Sequence, residues 1–242
     1  MTVTRISLWS GPRNVSTALM YSFAQRSDTI VFDEPLYAHY LRVTGADHPG
    51  KAEIINSMES DGTKVINDII FGYYNKPVLF FKQMVHHLVD IDESFILKTT
   101  NVFLIRNPDE ILASYSKIIP NPDMKDIGIK KQFELFHKLE AAGKVTCVID
   151  SSELLKNPAV VLNELCRKTG IEFQKSMLNW KPGPLKEDGI WAKYWYNQVH
   201  QSSGFRTYKP KQVTVPGNLL RLAEQCKPYY EFLKSKSLKA ER

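Results

Sequence analysis

The sequence predicts an α/β fold: three layers, a mostly parallel β-sheet with helices on both faces. Three observations carry that expectation. Strand-like and helix-like runs alternate along most of the chain. Near the N-terminus a strand breaks into a tight turn and a hydroxyl-rich helix start. Charged residues also gather where strands end, at Arg13, Glu34, Lys82 and Arg106. Open α/β sheets bind ligands at that edge.

The first unit runs from Ile6 to Thr17. Its apolar, partly β-branched and aromatic start is a strand. Ser10-Gly11-Pro12 is the turn. Val15, Leu19 and Phe23 then recur at helical spacing, with Ser16 and Thr17 in the first turn. A helix N-terminus offers free N–H groups and the positive end of its dipole. Arg13 adds planar donors suited to phosphate or sulfonate oxygens, and Asn14, Ser16 and Thr17 add neutral donors. The stretch reads as an anion site for a nucleotide phosphate, or as a plain strand–turn–helix with a Ser/Thr cap. The G-x-x-x-x-G-K-[ST] loop of ATP-binding proteins is absent.

A short second strand, Asp28 to Asp33, ends in Glu34-Pro35. Residues 36–76 form an insertion over the site, with helical patterns at Ala52–Met58 and Lys64–Phe71 and a loop between Gly45 and Gly50. Pro77–Phe81 is the third strand, with Lys82 at its end. His86 and His87 follow as acid–base candidates, although neighbours in sequence face different ways. Asn101–Ile105 is the fourth strand and runs into Arg106. Asn107-Pro108 caps a helix from Asp109 to about Ile119, with Ser114 inside it. A helix at Ile129–Ala142, a strand at Lys144–Ile149 and helix starts at Asp150 and Asn157-Pro158 complete the alternation, with Gly170 as a stop.

The last third differs. Trp180–Gly189 is a loop. Ile190–Tyr196 is an aromatic cluster, either a helix packed on the sheet or a stacking surface for a base or an acceptor. Gly204, Phe205 and Arg206 open a polar segment that reaches Lys209, and a final helix covers Asn218–Ser235. The expectation is one domain over residues 1–242, with about 180–242 as an aromatic-rich lid and helix.

Composition narrows the classes. An apolar fraction of 43% excludes disorder, and a net charge of +6 suits an anionic ligand. Basic runs interleaved with aromatics are absent, so nucleic acid is not expected as a partner. Cys147, Cys166 and Cys226 form neither a disulfide framework nor a zinc spacing. No apolar run reaches the roughly 18 residues of a membrane span. The default is a soluble cytoplasmic protein.

Taken together, these pieces resemble the sulfotransferase family that uses 3′-phosphoadenosine 5′-phosphosulfate. That family's loop reads Pro-Lys/Arg-Ser-Gly-Thr/Ser-Thr/Ser. Pro12, Arg13, Ser16 and Thr17 match it, while Asn14 replaces the Ser and Val15 replaces the Gly. Arg106 with Ser114 resembles the element that holds the 3′-phosphate. The segment from Asp150 through Asn157-Pro158 to Gly170-Ile171 resembles the helices that follow, so the likeness covers most of residues 5–171. Glu34-Pro35 resembles the Glu-Pro of carbohydrate-type members, whose Glu is the proposed base. Lys82 matches the Lys of the Lys-Thr-His found in members acting on small phenols and alcohols, but Met84 stands at the His position. The aromatic stretch and Gly204-Phe205-Arg206 look closer to a microbial and plant subgroup sometimes found beside aminotransferase-like domains.

The resemblance implies catalytic roles for Glu34, Lys82 and Arg13. It implies cofactor contacts from Pro12 to Thr17, Arg106, Ser114 and Gly204 to Arg206. The co-substrate would be the phosphosulfate nucleotide, the product adenosine 3′,5′-bisphosphate, and the acceptor a hydroxyl or amine on a small molecule or carbohydrate. No metal is expected. The alternatives are a non-catalytic module binding the same nucleotides and a P-loop nucleotide kinase.

Overall fold

The structure is a computed structural model that describes residues 3–210 and 212–241. Five parallel strands form one sheet in the order β2-β3-β1-β4-β5. They are β1 (Thr4–Ser10), β2 (Thr29–Asp33), β3 (Val78–Met84), β4 (Thr100–Ile105) and β5 (Val145–Asp150). β1 lies at the centre, flanked by β3 and β4. The chain leaves β1 toward one edge and later returns to the other side. The turn after β1 therefore occupies the switch point where α/β sheets take ligands.

The helices are α1 (Ser16–Ala24), α2 (Tyr37–Thr44), α3 (Lys51–Ser57), α4 (Gly62–Lys64), α5 (Pro108–Tyr115), α6 (Met124–Ile127), α7 (Ile129–Ala141), α8 (Ser151–Lys156), α9 (Pro158–Thr169), α10 (Ala192–Trp195), α11 (Asn197–His200) and α12 (Leu220–Ser235). Both faces of the sheet are covered. Leu19, Met20 and Phe23 of α1 and Val161, Leu162 and Leu165 of α9 pack with Ile6, Leu8, Phe80 and Leu104. On the other face Leu135 and Leu139 of α7, Ile111 of α5 and Cys226 and Leu233 of α12 pack with Phe81, Phe103 and Ile105. This explains why the strands read as nearly continuous apolar runs. Each fully buried Leu, Ile or Phe contributes about 1.5–3 kcal/mol.

Asn101 is buried in β4 and accepts a hydrogen bond from Trp9 Nε1 across to β1 at 2.8 Å. Its own amide donates to the carbonyls of Ile96 and Thr99. Asn107 caps α5 with Pro108 in the first turn, as the sequence predicts, and Gly170 ends α9 at φ +73°.

Five points differ from the sequence reading. α2 was not visible in the sequence. The predicted Lys64–Phe71 helix is a wider π-type turn over Val65–Ile70 that continues α4. The helix expected to reach Ile119 ends at Tyr115. Strand β3 continues to Met84, so Lys82 sits inside it rather than at its end. The aromatic segment packs on a sheet face only through Trp195, which lies against the core of Phe81 and Phe103. Trp191, Ala192 and Tyr196 instead join Tyr37, Ala38 and Leu41 of α2 and Ile54 of α3 in a third core.

Candidate active site

The carboxyl ends of β1, β2, β3 and β4 converge on one cleft. The turn after β1 approaches α6 so closely that a Cβ on Gly11 would stand 2.5 Å from the Ile127 carbonyl oxygen. Arg13 then adopts φ +52°, a left-handed conformation that costs a non-glycine residue energy. Neighbouring contacts hold it there. Arg106 Nη1 donates to the Arg13 carbonyl at 2.6 Å, and Arg13 Nε donates to Ser114 Oγ at 2.9 Å. Asn14 donates to the Leu104 carbonyl at 3.0 Å and accepts from the Val15 amide, so it pins the loop to β4. No side chain caps α1, whose first turn opens toward the cleft.

The second half of the site follows β2. Glu34 is also left-handed, at φ +47°. The buried Lys82 ammonium donates to Asp33 Oδ1 at 2.9 Å, to Glu34 Oε1 and to the Tyr196 hydroxyl at 2.6 Å. Tyr196 accepts from Trp191 Nε1 at 3.1 Å and donates to the Asp33 carboxylate at 2.8 Å. The Gly189 amide closes the hub on Asp33 Oδ2 at 3.0 Å. One cation thus serves two buried carboxylates. Burial, with Asp33 beside it, pushes the Glu34 carboxyl above its usual range despite the Lys82 ammonium. Burial opposes charge on Lys82, but Asp33 and Glu34 outweigh it and hold the ammonium well above its ordinary value.

Two connected spaces open here. The inner pocket, about 110 Å³, is lined by Pro12, Arg13, Asn14, Ser16, Thr17, Glu34 and Lys82 together with Tyr37, Met84, His86, His87, Trp191 and Tyr196. The outer groove, about 730 Å³, is lined by Val15, Thr17, Arg106, Ser151, Ser152, Phe205, Arg206 and Lys209. Arg13, Asn14 and Thr17 face both.

Most of the residues singled out from the sequence therefore meet. Ser114 reaches the site only through Arg13, and Gly204 only through its chain. Gly204 pairs with Asn179 as a backbone bridge, where a Cβ would stand 2.9 Å from the Leu178 carbonyl. That bridge leads into Phe205, which packs edge-on against Trp180 at 5.3 Å.

His86 and His87 both line the pocket, their rings crossing at 85°. Burial lowers His86 to about 3 and holds His87 well below the usual histidine value, so both are neutral. Sequence reasoning missed Asp33, Tyr37 and Tyr115. Asp33 ends the second strand directly before Glu34, the one signal that pointed to it. Among the described residues no group of three or more His, Cys, Asp or Glu side chains has the arrangement of a metal site. No helix among them is long and apolar enough to cross a membrane.

A family model described as a sulfotransferase domain matches residues 4–237. Two curated Arabidopsis thaliana proteins, branched-chain-amino-acid aminotransferase-like proteins 1 and 2, are each 41% identical over 95% of this chain. The chain spans 41% of the length of each. Among solved structures, the sulfotransferase domain from the curacin biosynthetic pathway superposes with a TM-score of 0.52 at 14% identity, covering 93% of this chain and 98% of that one. A sulfotransferase from Alicyclobacillus acidocaldarius gives 0.53 at 11% identity, covering 98% of both chains. At these identities the structural likeness shows the fold.

Proposed function

The chain belongs to the sulfotransferase family, and from that premise we propose that it moves a sulfuryl group from 3′-phosphoadenosine 5′-phosphosulfate to a hydroxyl or amine of a small acceptor. One observation carries this reading. Arg13, held in a left-handed turn at an uncapped helix start, faces both the cationic groove and the pocket that contains Glu34.

The groove suits a nucleotide bearing two phosphates. The first turn of α1, with Ser16 and Thr17, would take the 5′-phosphosulfate end. Arg106, with Arg206 and Lys209, would take the 3′-phosphate. Phe205 offers a face for the base. Ser114 would act by orienting Arg13.

In the transfer, the acceptor oxygen or nitrogen forms a bond to sulfur. The bond between sulfur and the bridging phosphate oxygen breaks, and its electron pair leaves with adenosine 3′,5′-bisphosphate. Glu34 takes the acceptor's proton. Its raised affinity for protons suits a general base. Arg13 and Lys82 stabilise charge on the sulfuryl oxygens and the departing phosphate. The segment Gly189–Tyr196 covers the pocket, and residues 180–242 act as a lid and closing helix of one catalytic unit. Three free, buried cysteines suit a reducing cytoplasm.

Thermal unfolding with adenosine 3′,5′-bisphosphate, ATP-Mg²⁺ and AMP tests the donor. A ligand at about 100 times its dissociation constant stabilises the fold by roughly 2.7 kcal/mol. Selective stabilisation by the bisphosphate is expected. A response to ATP-Mg²⁺ alone would replace this reading with a kinase. Binding of the bisphosphate with no transfer to any acceptor would leave a non-catalytic module.

A further inference from the structure

The inner pocket carries information about the acceptor. Its walls are π faces: Tyr37, Trp191, Trp195 and Tyr196, with His48 beside them. Tyr37 meets Trp191 edge-on, 5.1 Å between centres at 87°, and stacks on His87 at 4.8 Å. The walls therefore turn corners around a space instead of closing on one another.

The charges around that space are lopsided. Glu34 lines it. Asp126 lies close enough to act on His48 and Tyr115, and Asp47 on His48. Lys82 is committed to Asp33, Glu34 and Tyr196, and Arg13 keeps its charge on the side shared with the outer groove, with its Nε on Ser114. The imidazoles add no positive charge, since burial keeps His48, His86 and His87 below their usual values.

An independent observation marks a ligand position. His87 is 1% exposed and lines the pocket, yet neither ring nitrogen has a hydrogen-bond partner. Its Nε2 lies 3.9 Å from Glu34 Oε2. A hydroxyl oxygen about 2.8 Å from each atom completes a triangle with ordinary hydrogen-bond lengths.

We infer that the acceptor is a small alcohol carrying an ammonium group, its hydroxyl between Glu34 and His87 and its cation against the Tyr and Trp faces. The inference rests on the transfer reaction proposed above. Aromatic faces attract cations through the ring quadrupole, most strongly for Trp and most where water is excluded. A neutral alcohol leaves the aromatic faces without a cation, and Lys82 alone between Asp33 and Glu34. An anionic one meets Glu34 and the aromatic faces, which repel negative charge.

The test is binding of three matched probes to the full chain without nucleotide. They are choline, its uncharged isostere 3,3-dimethylbutan-1-ol, and the anion 3,3-dimethylbutanoate, each followed by tryptophan fluorescence and calorimetry. Choline should bind at least about tenfold more tightly than the isostere, the scale of a desolvated cation–π contact with a nearby carboxylate. Trp195→Leu should cut choline binding and leave the isostere nearly unchanged. Glu34→Gln, at the residue that meets the hydroxyl of both, should weaken both and choline the more. Equal affinities, a preference for the anion, or no binding of any probe would overturn the inference. Affinity for adenosine 3′,5′-bisphosphate is measured on the same preparation. Its loss would defeat the donor reading without altering the order of the three probes.

Discussion

The Lys82 ammonium stands 2.9 Å from Asp33 Oδ1, with only 2% and 1% of the two side chains exposed. Glu34 and Tyr196 contact the same nitrogen. The hub joins β2, β3 and the covering segment, so it is structural before it is catalytic. Removing one partner of a buried ion pair costs about 3–5 kcal/mol, because the other charge is left uncompensated. Lys82→Met leaves two carboxylates in that position. Its urea unfolding free energy should fall by about that amount, and transfer should be lost as well. A variant within about 0.5 kcal/mol of the parent would show that the hub does not hold the covering segment.

Glu34→Gln keeps the size of the side chain and an acceptor for Lys82, but loses the base. Turnover should fall by about 10²-fold or more, while affinity for adenosine 3′,5′-bisphosphate stays the same. In the parent, the acid limb of the rate profile should lie above 4.5, because burial raises the carboxyl. Rate should rise with pH through that limb. A limb that persists in Glu34→Gln would assign the proton to another group.

Much of this was legible for a physical reason. Strands covered on both faces must be apolar throughout, so β1 and β4 stand out as runs. Parallel strands put all their carboxyl ends on one edge, so Arg13, Glu34, Lys82 and Arg106 converge once the alternation is recognised. What stayed hidden depends on contacts distant in sequence. Tyr196 lies 163 residues from Asp33, and nothing local marks the pair. α2 is only eight residues long, and its buried stretch Tyr37–Leu41 holds two tyrosines and His39 in place of an aliphatic run. The left-handed backbone of Arg13 and Glu34 has no residue signature, since glycine stands at neither position.

The buried imidazoles set a pH dependence of stability. In the unfolded chain they titrate near 6.5. Folded, His86 is held down to about 3 and His87 well below 6.5, both chiefly by burial. Between those values the unfolded chain binds more protons, so stability is lost as pH falls below 6.5. Glu34, raised above 4.5, contributes with the opposite sign and loses stability as pH rises through its own range. The difference between the parent and His86→Gln, read as urea midpoints from pH 7.5 down to 5, isolates one histidine. The variant should be the less acid-sensitive of the two. Parallel curves would mean that His86 is free to protonate in the fold.

Gly11 tests the loop independently of charge. A Cβ there would stand 2.5 Å from a backbone oxygen that cannot swing aside, so α6 or the Arg13 turn must move. Gly11→Ala should cost about 1–3 kcal/mol, the range for overpacking, and weaken nucleotide binding. Gly217→Ala is the control. Nothing lies within 4 Å of the added carbon, and its effect should stay within about 0.5 kcal/mol. Equal stabilities for the two variants would mean that the turn yields easily and that its close approach to α6 does not fix Arg13.

Arg106 has two separable tasks. Its Nη1 holds the Arg13 carbonyl, while Nε and Nη2 lie on Glu110 Oε2 at 2.9 and 2.7 Å, and it faces the outer groove. If the guanidinium meets the 3′-phosphate, Arg106→Ala should weaken adenosine 3′,5′-bisphosphate by about tenfold or more beyond any loss for AMP, the scale of a charge-assisted hydrogen bond. Loss of the Arg13 contact alone would weaken both nucleotides alike, because both share the 5′-phosphate end. The ratio of the two affinities, measured by calorimetry, therefore separates a phosphate-binding arginine from one that only shapes the loop. An unchanged ratio would move the 3′-phosphate toward Arg206 and Lys209.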